Sequence, residues 1–231
     1  MVAPIDIYAV GTETFYNNYG KSKLDSMQNY AKDIWKDSIE DGSGDYYAEF
    51  LSFGSSDVEI PETSLCDSCT TRERMNDADD WLYYNWDHYP CADVIIISDY
   101  YGYDDKRVGV AQQTAGTDFD KCCLVDVYEA ENKTDVWSDG GSEAFTAHEL
   151  LHMFLTGDDE HDPYGVYDKQ QDEWQISVMY SNTGVNGYCG TEPSETDKVV
   201  KDASFCTQSN VRDWIDNNRD VLDDNQYIDC P

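Results

Sequence analysis

Positive charge is scarce in this sequence. Of 231 residues only 15 are Lys or Arg, against 48 Asp and Glu, a formal net charge of −33. A surface of that sign repels nucleic-acid phosphate and anionic lipid headgroups, which excludes both as partners. No apolar run approaches the ~18 residues needed to cross a bilayer, so no membrane insertion is expected. No internal repeat and no low-complexity linker divides the chain, so residues 1–231 are expected to form one domain. The opening Met-Val-Ala-Pro lacks a signal-peptide pattern and reads as the start of a mature or trimmed chain. Histidine is scarce as well, with four residues, and three of them (His148, His152 and His161) fall within a fourteen-residue stretch.

The acidic excess runs along the whole chain rather than in a tail. That distribution fits a halophilic protein kept soluble in concentrated salt better than an ordinary acidic secreted one. With 13% aromatic and 40% hydrophobic residues, the chain has enough apolar material to fold. The eight cysteines are Cys66, Cys69, Cys91, Cys122, Cys123, Cys189, Cys206 and Cys230. Their even number, with the sequon Asn132-Lys133-Thr134, points to secretion into an oxidising compartment and to as many as four disulfides. Cys66-x-x-Cys69 is alternatively half of a structural zinc site, but no second C-x-x-C completes it. A thioredoxin-like role lacks the strand-to-helix context it needs.

Alternation and β-rich composition predict strands at 5–10 and 46–53. The nearly all-apolar run 92–98 predicts a central parallel strand buried on both faces. Residues 108–113 suit an edge strand, and 123–128 another strand. Helical spacing predicts helices over 22–40, 72–89 and about 209–221. His88, at the tail of the second, reads as a surface or packing residue. Helices and strands interleave, so the fold class is α/β (α+β) with a mixed sheet.

The stretch from Ser142 to Gly157 contains His148-Glu149-Leu150-Leu151-His152. Ser142 suits an N-cap, Glu143 the positive end of the dipole and Gly157 a C-terminal stop. Phe145, Leu150, Leu151, Phe154 and Leu155 make this a core helix that carries its histidines inward. Imidazoles four residues apart share one helix face and can bind one Zn2+ ion. Glu149 then stands beside the metal, suited to deprotonating a metal-bound water rather than to ligation.

H-E-L-L-H, followed 27 residues after His152 by Met179 in S-V-M-Y-S, resembles the metzincin clan of zinc endopeptidases. The resemblance implies a mixed twisted sheet, an active-site helix, a Met-turn at Met179 beneath the metal and a C-terminal helix. It divides the chain into an N-terminal subdomain (1–157) and a C-terminal one (158–231). The clan's H-E-x-x-H-x-x-G-x-x-H pattern is not kept: Leu155 stands where Gly is expected and Asp158 where the third ligand is expected. Either the helix runs half a turn longer, with Gly157 as the turn and His161 as third ligand, or Asp158 ligates at the standard spacing. Asp159, Glu160 and Asp162 are then solvated acids or a Ca2+ site.

The resemblance further implies that a peptide or protein substrate pairs with the edge strand at Val108, Gly109, Val110 and Ala111, with Glu149 as general base and acid. Tyr180, one residue after the methionine, is a candidate oxyanion or substrate contact, although the clan's tyrosine lies two residues after it. A monomer is expected. Two rivals stand beside this reading. A thermolysin-like (gluzincin) protease would take Asp172 or Glu173 from a second helix as third ligand, since 167–174 could be helical. A non-catalytic extracellular zinc-containing binding domain would have no need of Glu149.

Overall fold

The computed structural model describes residues 4–87, 89, 92–105, 107–112, 122–132, 141–155, 165–168, 173–176, 203 and 205–218. At its centre β4 (Asp93–Ser98) is buried at every position. A strand covered on both faces has no use for polar alternation, which is why D-V-I-I-I-S is almost wholly apolar. It runs parallel to β1 (Ile5–Thr12) on one side and to β6 (Cys122–Asp126) on the other. Beyond β1 lies β2 (Ala48–Ser52), also parallel, and β3 (Glu59–Ile60) pairs with the end of β1. Beyond β6 the sheet closes on β5 (Gly109–Ala111), which is antiparallel. The order β2-β1-β4-β6-β5 is that of a mixed α/β sheet with β5 at its edge.

Helices cover both faces. Side chains alternate across β4: Ile95 and Ile97 join one core, Val94 and Ile96 the other. The first core packs the sheet against α2 (Gly20–Ser38), α5 (Gly141–His152) and α6 (Phe205–Asn217) through Trp35, Leu150, Phe154 and Trp214. Trp35 and Trp214 each meet the Phe154 ring edge-on, at 5.0 and 5.5 Å between centroids. Such contacts contribute beyond the area they bury. Arg212 of α6 caps the end of α2, donating to the carbonyls of Ile39 and Ser38 at 2.8 and 3.0 Å. The second core packs the other face against α3 (Thr71–Asn85) through Met75, Ala78 and Leu82. α3 begins on a capping box between Thr70 and Glu73.

Several expected boundaries move. The strand expected over 123–128 ends at Asp126, whose carboxylate accepts from Glu129 N–H and starts the short α4 (Val127–Glu131). The edge strand is three residues rather than six, and Val108 lies just before it. A short α1 (Glu13–Asn18), capped by Thr12, was not signalled by periodicity because one and a half turns carry too few positions to show any. Residues 167–174, open to a helical reading, instead contribute to a hairpin of β7 (Gly165–Asp168) and β8 (Glu173–Ile176). Glu173 therefore begins a strand and cannot come from a second helix. The last helix spans Phe205–Asn217, four residues earlier than expected at each end.

Cys66 and Cys69 form a disulfide, which removes them from any zinc site. Cys122 and Cys123 are buried thiols, so the chain cannot reach four disulfides. Among the described residues no helix is long and apolar enough to cross a membrane.

Candidate active site

α5 is fixed at its start by charge. Gly141, its first residue, has φ of +49°, a left-handed conformation that a Cβ would disfavour. Ser142 is thus inside the helix rather than its cap. It is buried, and its hydroxyl donates to Glu131 Oε1 at 2.8 Å. Lys23 of α2 lies 2.9 Å from Glu143 Oε1 and 3.2 Å from Glu131 Oε1, joining α2, α4 and α5. Burial alone would lower the Lys23 ammonium, but bonds to Glu143 and Glu131 outweigh it and hold the group above its ordinary value. The helix ends at His152, earlier than the expected Gly157. There the N–H groups of Met153, Phe154 and Leu155 reach back three residues to Leu150, Leu151 and His152, tightening the last turn.

The two histidines converge. Their Nε2 atoms stand 2.9 Å apart, a hydrogen-bond distance at which one ring donates and the other accepts, with ring centroids at 4.5 Å and planes at 82°. His148 is half-buried and His152 buried. Tetrahedral zinc with ordinary Zn–N bonds sets two ligand nitrogens about 3.3 Å apart. The pair is within about 0.4 Å of that spacing, and neutral imidazole nitrogen is a natural zinc donor, so these residues fit the metal. Among the described residues no group of three or more His, Cys, Asp or Glu side chains could hold a metal ion.

Glu149 is 7% exposed and lies against the edge strand. A Cβ built on Gly109 would come within 2.6 Å of Glu149 Cγ and 2.7 Å of Oε1. No other residue type fits at 109 without displacing one or the other. The sequence carries the signal, an isolated glycine inside an apolar strand (V-G-V), which marks close approach of the backbone by another group. Beneath, Cys123 is fully buried. Burial first, then the charge of Glu149, push its thiol well above the ordinary value.

A second polar cluster lies at the ends of β4 and β6. The Asp126 carboxylate accepts from Tyr100 N–H at 2.8 Å and from Glu129 N–H at 3.0 Å. Burial nevertheless drives it up to about 7 from 3.8, with Asp99 adding to the rise. Over that interval the folded chain holds a proton that the unfolded chain has released. Stability present below pH 3.8 is therefore lost as pH rises through 7, by on the order of 4 kcal/mol (about 3 pH units at 1.36 kcal/mol each). Urea titrations at pH 5 and pH 8 are expected to show the fall, and Asp126→Asn to flatten it. An equal slope in the variant would show that other groups carry the dependence.

The sequence-derived site residues divide into two groups. His148, Glu149 and His152 lie together on α5 and Glu149 meets Gly109 of β5; Val108 and Ala111 share the core that α5 joins, whereas Val110 turns to the opposite core. His161, Asp158, Gly157, Met179, Tyr180 and Asp172 lie outside the described residues, as do His88, Cys91, Cys189, Cys230 and the rest of the sequon beyond Asn132.

No family model matches the chain, and no curated protein matches it. Among solved structures 65 chains match. One is metalloproteinase-II from Bacteroides fragilis, 13% identical, with a TM-score of 0.51 over 92% of this chain and 53% of that one. This chain spans about half the length of that protein. The likeness is one of fold, a mixed sheet with helices on both faces.

Proposed function

We propose that this protein is a zinc-dependent endopeptidase of the metzincin type, secreted and acting on peptide or protein substrates. The observation that carries the proposal is the meeting of two imidazole nitrogens 2.9 Å apart with a buried glutamate lodged against β5, the edge strand among the described residues. The fold shared with a metalloproteinase supports it. His148 and His152 would hold the metal, with His161 or Asp158 completing the set. When bound, zinc supplies Lewis-acid polarisation of a carbonyl and lowers the pKa of water.

The chain's own residues do the rest. β5 offers backbone N–H and C=O groups to an extended peptide and so fixes its position along α5. Glu149, held beside β5, would take a proton from the water whose oxygen bonds to the scissile carbonyl carbon and deliver it to the amine that leaves as the C–N bond breaks. The apolar floor of Leu150, Leu151 and Phe154, each under 2% exposed, excludes bulk water from beneath the site. An acidic surface suits activity in concentrated salt.

Metal content measured by mass spectrometry, with casein hydrolysis in molar salt, tests the proposal. One zinc per chain is expected, lost in His161→Ala or in Asp158→Ala but not in both. A chain that takes up no zinc and cleaves nothing would instead be a non-catalytic binding domain.

A further inference from the structure

β5 presents a patterned edge. Asp126 N–H donates to Val108 O at 2.7 Å and Gln112 N–H to Cys122 O at 2.8 Å. These are the mutually bonded positions of the antiparallel pair. The register Gly109↔Val125 and Ala111↔Cys123 therefore puts Gly109 and Ala111 at the alternate positions, whose N–H and C=O turn away from β6. Those outward groups are the ones an added strand would use. One already has a partner: Arg72, on α3 across the sheet, reaches around the edge and donates from Nη2 to Ala111 O at 3.3 Å.

The helix does not explain this arginine. Arg72 is the second residue of α3, where the helix dipole opposes a cation. It is exposed, and among the described residues no carboxylate lies within ion-pair distance of it, in a chain carrying 48 acids. A guanidinium has five N–H donors in a rigid fork. One is used on Ala111 O. The others remain at the end of the path that a strand laid along β5 would follow.

We infer that Arg72 determines specificity in the cleft: peptides carrying Asp or Glu at the position that passes Ala111 are preferred over those carrying the corresponding amide. The guanidinium supplies a charge-assisted, fork-shaped partner for that carboxylate. The protein's net charge disfavours acidic peptides at long range, but salt screens that field beyond about 8 Å at about 0.15 M and beyond about 3 Å at about 1 M. The contact at Ala111 therefore sets the order among bound peptides. This inference rests on the proposed pairing of substrate with β5.

The test separates binding from cleavage. Glu149→Gln protein is titrated with fluorescent peptides in which Glu replaces Gln at one position at a time, and anisotropy reads the affinity. At one position Glu is expected to bind about fivefold tighter than Gln, the scale of an exposed ion pair. The ratio falls to one when Arg72→Gln is added, and Arg72→Lys, which keeps the charge but not the fork, retains part of it. A ratio unchanged by Arg72→Gln, or no position that discriminates, overturns the inference, as does absence of peptide binding. Discrimination without cleavage by the chain with Glu149 intact would overturn the endopeptidase reading and leave the role of Arg72 standing.

Discussion

Glu149→Ala is expected to reduce peptide cleavage by about 10²- to 10⁴-fold, the range associated with a positioned general acid–base group. Zinc content should remain that of the wild type, because the metal would be held by the histidines on either side. Glu149 is buried, so alanine also leaves space behind it. Glu149→Gln keeps the volume and removes the titratable oxygen, and it should lose activity to a similar extent. Casein hydrolysis beside metal analysis of the same preparations checks both. Cleavage at the wild-type rate by either variant would end the assignment of Glu149 as base.

Gly109→Ala is expected to lower the cleavage rate by about 10²-fold, since a displacement near 1 Å at a reacting group has effects of that size. The added methyl would sit 2.6 Å from Glu149 Cγ, closer than real Cβ atoms approach, so the carboxylate or the edge strand must move. The double variant separates this from general damage. Glu149→Asp alone retracts the carboxylate and should slow the proposed cleavage. In the Gly109→Ala background the shorter side chain relieves the clash, so the same change should cost far less. If the two effects on the logarithm of kcat/KM simply add, Gly109 does not act through Glu149.

Much of the fold is legible in the sequence because it follows from local pattern. The nearly all-apolar run at 92–98 marks a strand covered on two faces, and β4 is buried at every position. Helical spacing located α2 and α3 within a few residues, since both bury one stripe against the sheet. Errors arose where a residue's partner is distant. Ser142 has the chemistry of an N-cap, yet its hydroxyl is taken by Glu131, and a glycine in the left-handed region starts α5 in its place. Gly157 has the chemistry of a helix stop, yet three backward-reaching N–H groups end the helix at His152. Residues 167–174 are polar enough for a helix, yet part of that stretch pairs as a hairpin, because cross-strand hydrogen bonds outweigh a weak local preference.

The candidate site divides in the same way. That two imidazoles share one face, with a glutamate beside them, follows from the spacing of His148, Glu149 and His152, because helix geometry repeats every 3.6 residues whatever surrounds it. The sequence by itself also determined that this helix would be buried and that β4 would be central. Only the tertiary structure decided that Glu149 lies on Gly109, forty residues away, and that Arg72 reaches Ala111 from the opposite face of the sheet. It decided as well that Cys123 is buried near Glu149, which pushes its thiol above the ordinary value. Those contacts depend on sheet order and strand register, which arise from the packing of the whole core and leave no periodic trace along the chain.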